Sequence, residues 1–221
     1  MSGLLRRAIW WAQDYAYAAV WQVRAFGDRN RAETYLRGAG VPIVVLPGIY
    51  ESWRFMRPLI ERTHRDGHPV HVVEPLERNL IPIAEMAQRV SAYLAARDLH
   101  DVVLLAHSKG GLAGKLVMLG PEAGRVRGML AVATPFGGSR YARMMLTRSL
   151  RALSPRHPSI AALSAQRQAN ARIVSVYARF DPHIPEGSEL PGAKNVPLDT
   201  GGHFRVLAHP RVMAELAALA A

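Results

Sequence analysis

The chain contains no cysteine, which excludes a disulfide framework, a thiol nucleophile and a thiolate metal site. Its nine histidines are scattered, and none joins an H-E-x-x-H or comparable ligand cluster, so neither a metal nor a cofactor is expected. Lysine is scarce: 25 arginines stand against three lysines, a skew that fits genomic base composition as well as it fits phosphate binding. The formal charge of +11 is spread along the chain with no nucleic-acid motif to collect it, so a solvated basic surface is expected and nucleic acid is not an expected partner. Long apolar runs are missing too. Gln13 and Asp14 interrupt the aromatic start, leaving it short of a signal-peptide core or a membrane span. A cytoplasmic location is expected.

What is present describes a globular protein. The 221 residues are 49% apolar, with no repeat or polar low-complexity run, which suits one domain with a sizeable core. From Val41 onward strands alternate with helices: Ile43 to Leu46, Val70 to Glu74, Val102 to Ala106, Met129 to Ala133, Ile173 to Tyr177 and Asn195 to Leu198. Phe55, Met56, Leu59, Ile60 and Thr63 share one helical face, and Ile83, Met86, Ala87, Val90, Tyr93 and Leu94 form another. The pattern predicts an α/β class: a mostly parallel open sheet of about six strands with helices on both faces, over residues 41–221.

Two segments break that rhythm. Residues 139–170 exceed one crossover helix and read as a short helical cap insertion, with Met144, Met145, Leu146, Leu150, Leu153, Ile160 and Leu163 as its apolar residues. These either cover a site mouth or pack on the body as two ordinary helices divided near Pro155 and Pro158. Residues 1–40 form an aromatic and basic helical segment holding Trp10, Trp11 and Trp21. It either docks on the body or makes peripheral membrane contact through residues 1–30.

The chemistry is concentrated in Val102-Val-Leu-Leu-Ala106-His107-Ser108-Lys109-Gly110-Gly111. A buried strand runs into a tight reversal and then into a helical pattern with Leu112, Leu116 and Leu119. Small residues two before and two after Ser108, Ala106 and Gly110, permit the turn called a nucleophile elbow, which strains the serine and lifts its Oγ above the sheet. The plain alternative is a serine in an ordinary strand–helix turn.

A serine hydroxyl needs an imidazole to take its proton and a carboxylate to orient that imidazole. In the chain order Ser, acid, His, the acid follows the penultimate strand and the His follows the last. Asp181 lies 73 residues beyond Ser108, and His203 lies 22 beyond Asp181, each at a strand's C-terminal end. Read singly, Asp181 is a turn aspartate before proline and His203 follows a Gly-Gly turn. Weaker candidates are His183, Asp199 and Glu74, while His107 is expected to point away from Oγ. The oxyanion donors expected are the backbone N–H groups of Lys109 and of Ile49, with Tyr50 next. The Lys109 side chain is expected in solvent.

Together these residues resemble the α/β-hydrolase superfamily, in particular small bacterial triacylglycerol lipases and esterases with an A-H-S-x-G-G elbow and a reduced sheet. The segment Ala133-Thr134-Pro135-Phe136-Gly137-Gly138-Ser139 is similar to their T-P-x-x-G-S loop. Ser-Lys-Gly-Gly is also similar to inositol deacylases of lipid anchors. Pro47 stands where such lipases have histidine, and Tyr50 where they have a second glycine. The resemblance implies a serine hydrolase of carboxylic esters, taking a small-molecule or lipid ester through an acyl-enzyme. An acyltransferase using the same three residues and a catalytically silent scaffold at a membrane surface are the alternatives.

Overall fold

Alternate side chains of a strand point to opposite faces of its sheet, so a strand apolar at every position must be covered on both sides. The computed structural model, which describes residues 3–73, 76 and 79–221, shows this in β1 (Ile43–Leu46) and β3 (Val102–His107), buried at every position. With β2 (Val70–Val72), β4 (Val126–Val132), β5 (Ile173–Phe180) and β6 (Lys194–Gly201) they form one sheet in the order β2-β1-β3-β4-β5-β6. All five pairings are parallel. The six expected strands are therefore present, with β4, β5 and β6 longer than predicted; Glu74, the expected end of the second, lies outside the described residues.

Val44, Leu46, Leu104, Ala106, Met129 and Ala131 face one helical layer: α3 (Ile83–Ala96), α4 (Lys109–Val117) and α6 (Pro158–Ala165). Ile43, Val45, Val103, Leu105, Leu130 and Val132 face the other: α2 (Arg57–Arg65), α7 (Pro210–Ala220) and part of α1 (Gly3–Gly27). In the cap region, Leu153, Ile160 and Leu163 pack into the first core, whereas Met144, Met145 and Leu146, beside the short α5 (Arg148–Arg151), are exposed. Half of that segment thus packs as body and half stands at the surface. No helix among the described residues is long and apolar enough to cross a membrane. α1 lies against the body, with Tyr17 and Trp21 on the second core and the Tyr17 ring 6.3 Å from Phe55.

One residue in α4 departs from its surroundings. Lys115 is fully buried, its Nζ has no hydrogen-bond partner among the described residues, and the Phe136 ring lies 6.0 Å away. Burial pushes its pKa down to about 8. Because the unfolded chain holds this proton more tightly, the penalty is complete below about pH 8 and fades as the pH rises towards the ordinary lysine value. Lys115→Met is therefore expected to stabilise the fold by up to about 3 kcal/mol at pH 7 from this source, and by only about 1 kcal/mol at pH 10. Urea unfolding at the two pH values measures the difference; an equal gain at both would mean the ammonium carries no penalty.

Candidate active site

The elbow forms where β3 gives way to α4. Ser108 has φ 51° and ψ −122°, a left-handed backbone held by its N–H donating to Val132 O at 2.9 Å. A Cβ on Gly110 would come within 2.1 Å of Leu46 O, so only glycine lets the start of α4 pass β1 this closely. The first amides of α4 have no intrahelical acceptor and sit beside Ser108.

The pairing of β5 with β6 brings the next two residues together. Phe180 and Gly201 are partners, and Gly202 N–H donates to Phe180 O at 2.8 Å, which sets Asp181 beside His203. Asp181 Oδ1 accepts the backbone N–H groups of His183 and Ile184 at 2.7 and 3.0 Å. Its Oδ2 lies 2.8 Å from His203 Nδ1, and His203 Nε2 lies 3.0 Å from Ser108 Oγ. Both residues are buried. Burial works against both charges, but the attraction of the pair outweighs it when joined by the His183 N–H on Asp181 and by the Glu51 and Asp14 carboxylates near His203: Asp181 is held below the usual carboxylate range and His203 above the usual imidazole range.

Ser108 and His203 open on a cavity of about 420 Å³. Ile49, Pro135, Met145, Leu150, Leu153 and Ile184 supply apolar walls. Its polar side includes His183, whose ring lies 4.9 Å from that of His203. Burial and the nearby His203 push the His183 pKa down to about 4, so at neutral pH it adds no charge there. The Ile49 N–H has no hydrogen-bond partner among the described residues, and the neighbouring Tyr50 has φ 61°.

Two expectations change. The Lys109 side chain is buried rather than solvated: its Nζ donates to Asn79 O at 2.8 Å, to Asn79 Oδ1 at 3.3 Å and to Ile81 O. Burial pushes its pKa down to about 8. Asn79 Nδ2 in turn donates to Pro47 O at 2.7 Å, so the lysine secures the loop beside β1. Asp199 does not approach His203; it is exposed, 4.0 Å from Arg179. Glu74, the reserve acid, lies outside the described residues. His107 is a buried hydrogen-bonding residue, as expected.

No protein-family model matches the chain, and no curated protein does. Solved structures do. A mature-form lipase from Bacillus licheniformis superposes with a TM-score of 0.66 at 15% identity, covering 83% of this chain and 93% of its own. An extracellular α/β-hydrolase from a Paenibacillus species gives 0.55 at 17%, covering 81% and 98%. A structure described with the carboxylesterases of Nitrososphaera gargenis gives 0.54 at 12%, covering 81% and 89%. The fold is that of the α/β-hydrolases.

Two acidic residues of this α/β-hydrolase fold were not singled out in the sequence as site residues. Asp14, on the inner face of α1, is buried and accepts three backbone N–H groups: His203 at 2.9 Å, Phe204 at 2.8 Å and Arg205 at 2.9 Å. Gly201 and Gly202 are required by the same contact, since a Cβ on either would come within 2.5 Å of Trp10 or of Asp14 Oδ1. Glu51 is the second. Its carboxylate accepts Gly48 N–H at 2.7 Å and lies 2.8 Å from His107 Nδ1, while His107 Nε2 lies 3.1 Å from His203 O. A carbonyl only accepts, so Nε2 carries a proton and donates it. The peptide unit of His203 is thus held at its N–H by Asp14 and at its C=O by the Glu51–His107 pair. The readable trace of the first was an acid amid apolar helix residues followed, far along the chain, by a Gly-Gly-His turn.

Asp14→Asn replaces one acceptor oxygen by a donor that faces backbone N–H groups. It is expected to cost about 3 kcal/mol in urea unfolding at pH 7 and to speed hydrogen exchange at residues 203–205 before the sheet amides. Unchanged exchange there would rule out the clasp.

Proposed function

We propose that the protein is a metal-independent serine hydrolase of carboxylic esters that works through an acyl-enzyme. The carrying observation is the unbroken line from Ser108 Oγ to His203 Nε2 at 3.0 Å and from His203 Nδ1 to Asp181 Oδ2 at 2.8 Å, opening on an apolar cavity.

In this reading Ser108 Oγ attacks the acyl carbon while its proton passes to His203 Nε2. Asp181 stabilises the imidazolium and keeps Nδ1–H pointing at itself. The carbonyl oxygen gains the electron pair, and the backbone N–H groups of Lys109 and Ile49 receive it. When the tetrahedral centre collapses, His203 returns the proton to the departing alkoxide, which leaves as alcohol. Water then repeats the sequence on the acyl-enzyme and releases the acid. The cavity walls favour an apolar acyl group of lipid-like or medium length.

The test is hydrolysis of p-nitrophenyl esters of increasing acyl length. Ser108→Ala is expected to lower kcat/KM by at least about 10⁴-fold with unchanged thermal unfolding, and a fluorophosphonate is expected to label the intact chain but not the variant. Equal turnover by both forms, or labelling of the variant, overturns the reading. No turnover by either form with any ester would favour a silent scaffold.

The pH dependence follows from the sign of the His203 shift. His203 must be neutral to accept the serine proton, and its pKa is raised above the ordinary 6.5. The acid limb of kcat/KM is therefore expected to have its midpoint above 6.5. In Asp181→Asn the residual activity should have a lower midpoint, because the largest of the raising charges is gone while Glu51 and Asp14 remain. An acid limb that stays in place in that variant would separate His203 from Asp181.

A further inference from the structure

α1 is 25 residues long and carries two opposed faces. Trp10, Asp14, Tyr17 and Trp21 turn inward, while Ile9, Ala12, Ala16, Ala19, Val20 and Val23 are all exposed. Between residues 8 and 23 the sole charged side chain is the buried Asp14. An uninterrupted apolar stripe of that length on the outside of a protein marks a surface that something covers. At 1.5 Å per residue the helix extends about 37 Å.

A second apolar surface stands beside the cavity. Met144 and Leu146 are 82% and 93% exposed, and Tyr141 and Met145 line the cavity beside them. On the α1 side the cavity is bordered by Tyr15, whose ring lies 4.7 Å from the exposed Trp11. α1 through Tyr15 and the tip through Tyr141 and Met145 therefore border one cavity.

Charge decides what fits there. Residues 139–170 hold six arginines and no acid, and Arg6, Arg7, Arg24 and Arg29 lie at the two ends of the α1 stripe. The nearest acids are engaged: Asp28 pairs with Arg57 at 3.1 Å and Glu186 with Arg140 at 3.0 Å. A second copy of α1 would set arginine against arginine whichever way it ran, and the chain's charge of +11 opposes self-association. An apolar face rimmed by arginine and aromatic side chains suits the boundary between headgroups and acyl chains.

We propose that the outward face of α1 and the tip at residues 141–146 form one docking surface for an anionic lipid bilayer, with the cavity opening between them. The surface lies on the bilayer without crossing it. It stands independently of the hydrolase reading, because the readout below is binding alone.

The experiment sediments the full chain with vesicles of phosphatidylcholine alone or mixed with phosphatidylglycerol, at low and physiological salt. Two double variants test the two sides: Ile9→Glu with Val20→Glu, and Met144→Glu with Leu146→Glu. All four positions are exposed, so thermal unfolding should match the intact chain. The intact chain is expected to bind the anionic vesicles, less strongly as salt rises, and each double variant to bind about tenfold more weakly. No binding to anionic vesicles, or equal binding by either double variant, overturns the proposal. So does a dimer in light scattering that the α1 variant converts to monomer, since a second copy would then be the occupant.

Discussion

The arrangement of this site depends on how one peptide unit, that of His203, is held. An imidazole that must reach Ser108 with one nitrogen and Asp181 with the other has little angular freedom, and a surface turn alone would not restrict it. The fold restricts it at both backbone atoms. Asp14 takes the N–H groups of residues 203–205 from one side, and His107, backed by Glu51, reaches the carbonyl from the other. Much else follows from this geometry. Gly201 and Gly202 must be glycine so that α1 can approach, and Glu51 gathers the first loop's Gly48 N–H at the same time. One hydrogen-bonded set thereby links β1, β3, β6 and α1 around the histidine.

Sequence carried the fold and the Ser–Asp–His set because both leave local marks. β1 and β3 as far as Ala106 are apolar at every position, as strands covered on both faces are, and Gly110, with no side chain, announces a turn that crowds β1. Asp181 and His203 could be read from position because chain order and strand ends constrain them. Lys109 and Glu51 left no such mark, and the mark of Asp14 does not name its partners. A lysine after the serine reads as solvated until the loop carrying Asn79 and Ile81 closes over it, and those carbonyls are 28 to 30 residues away. Asp14 reads as an interruption in an aromatic helix, which is true of the sequence; its three amide partners lie 189 to 191 residues on. The longer strands have a plainer cause. β5 and β6 extend into Arg179, Phe180 and Asp199 to Gly201, where edge pairing continues past the apolar residues that signal a strand.

α1 joins two kinds of surface chemistry in one element. Its inward side is specific, with a carboxylate matched to three donors and Trp10 fitted against a glycine, whereas its outward stripe is aliphatic. The inner face accounts for where the helix sits. The outer face plays no part in holding it there, so its character is free of the demands of folding.

The Asp14 contact also sets an order of events during synthesis. The carboxylate leaves the ribosome 189 residues ahead of its first partner, which follows the last of the six strands. Until then the Asp14 carboxylate has none of its three amide partners, and the serine and the aspartate that precede His203 in the chain have no imidazole between them. Ser108, Asp181 and His203 can therefore meet only once the last strand has been made, and His203 arrives together with the backbone amides that the carboxylate of Asp14, already made, is waiting to bind.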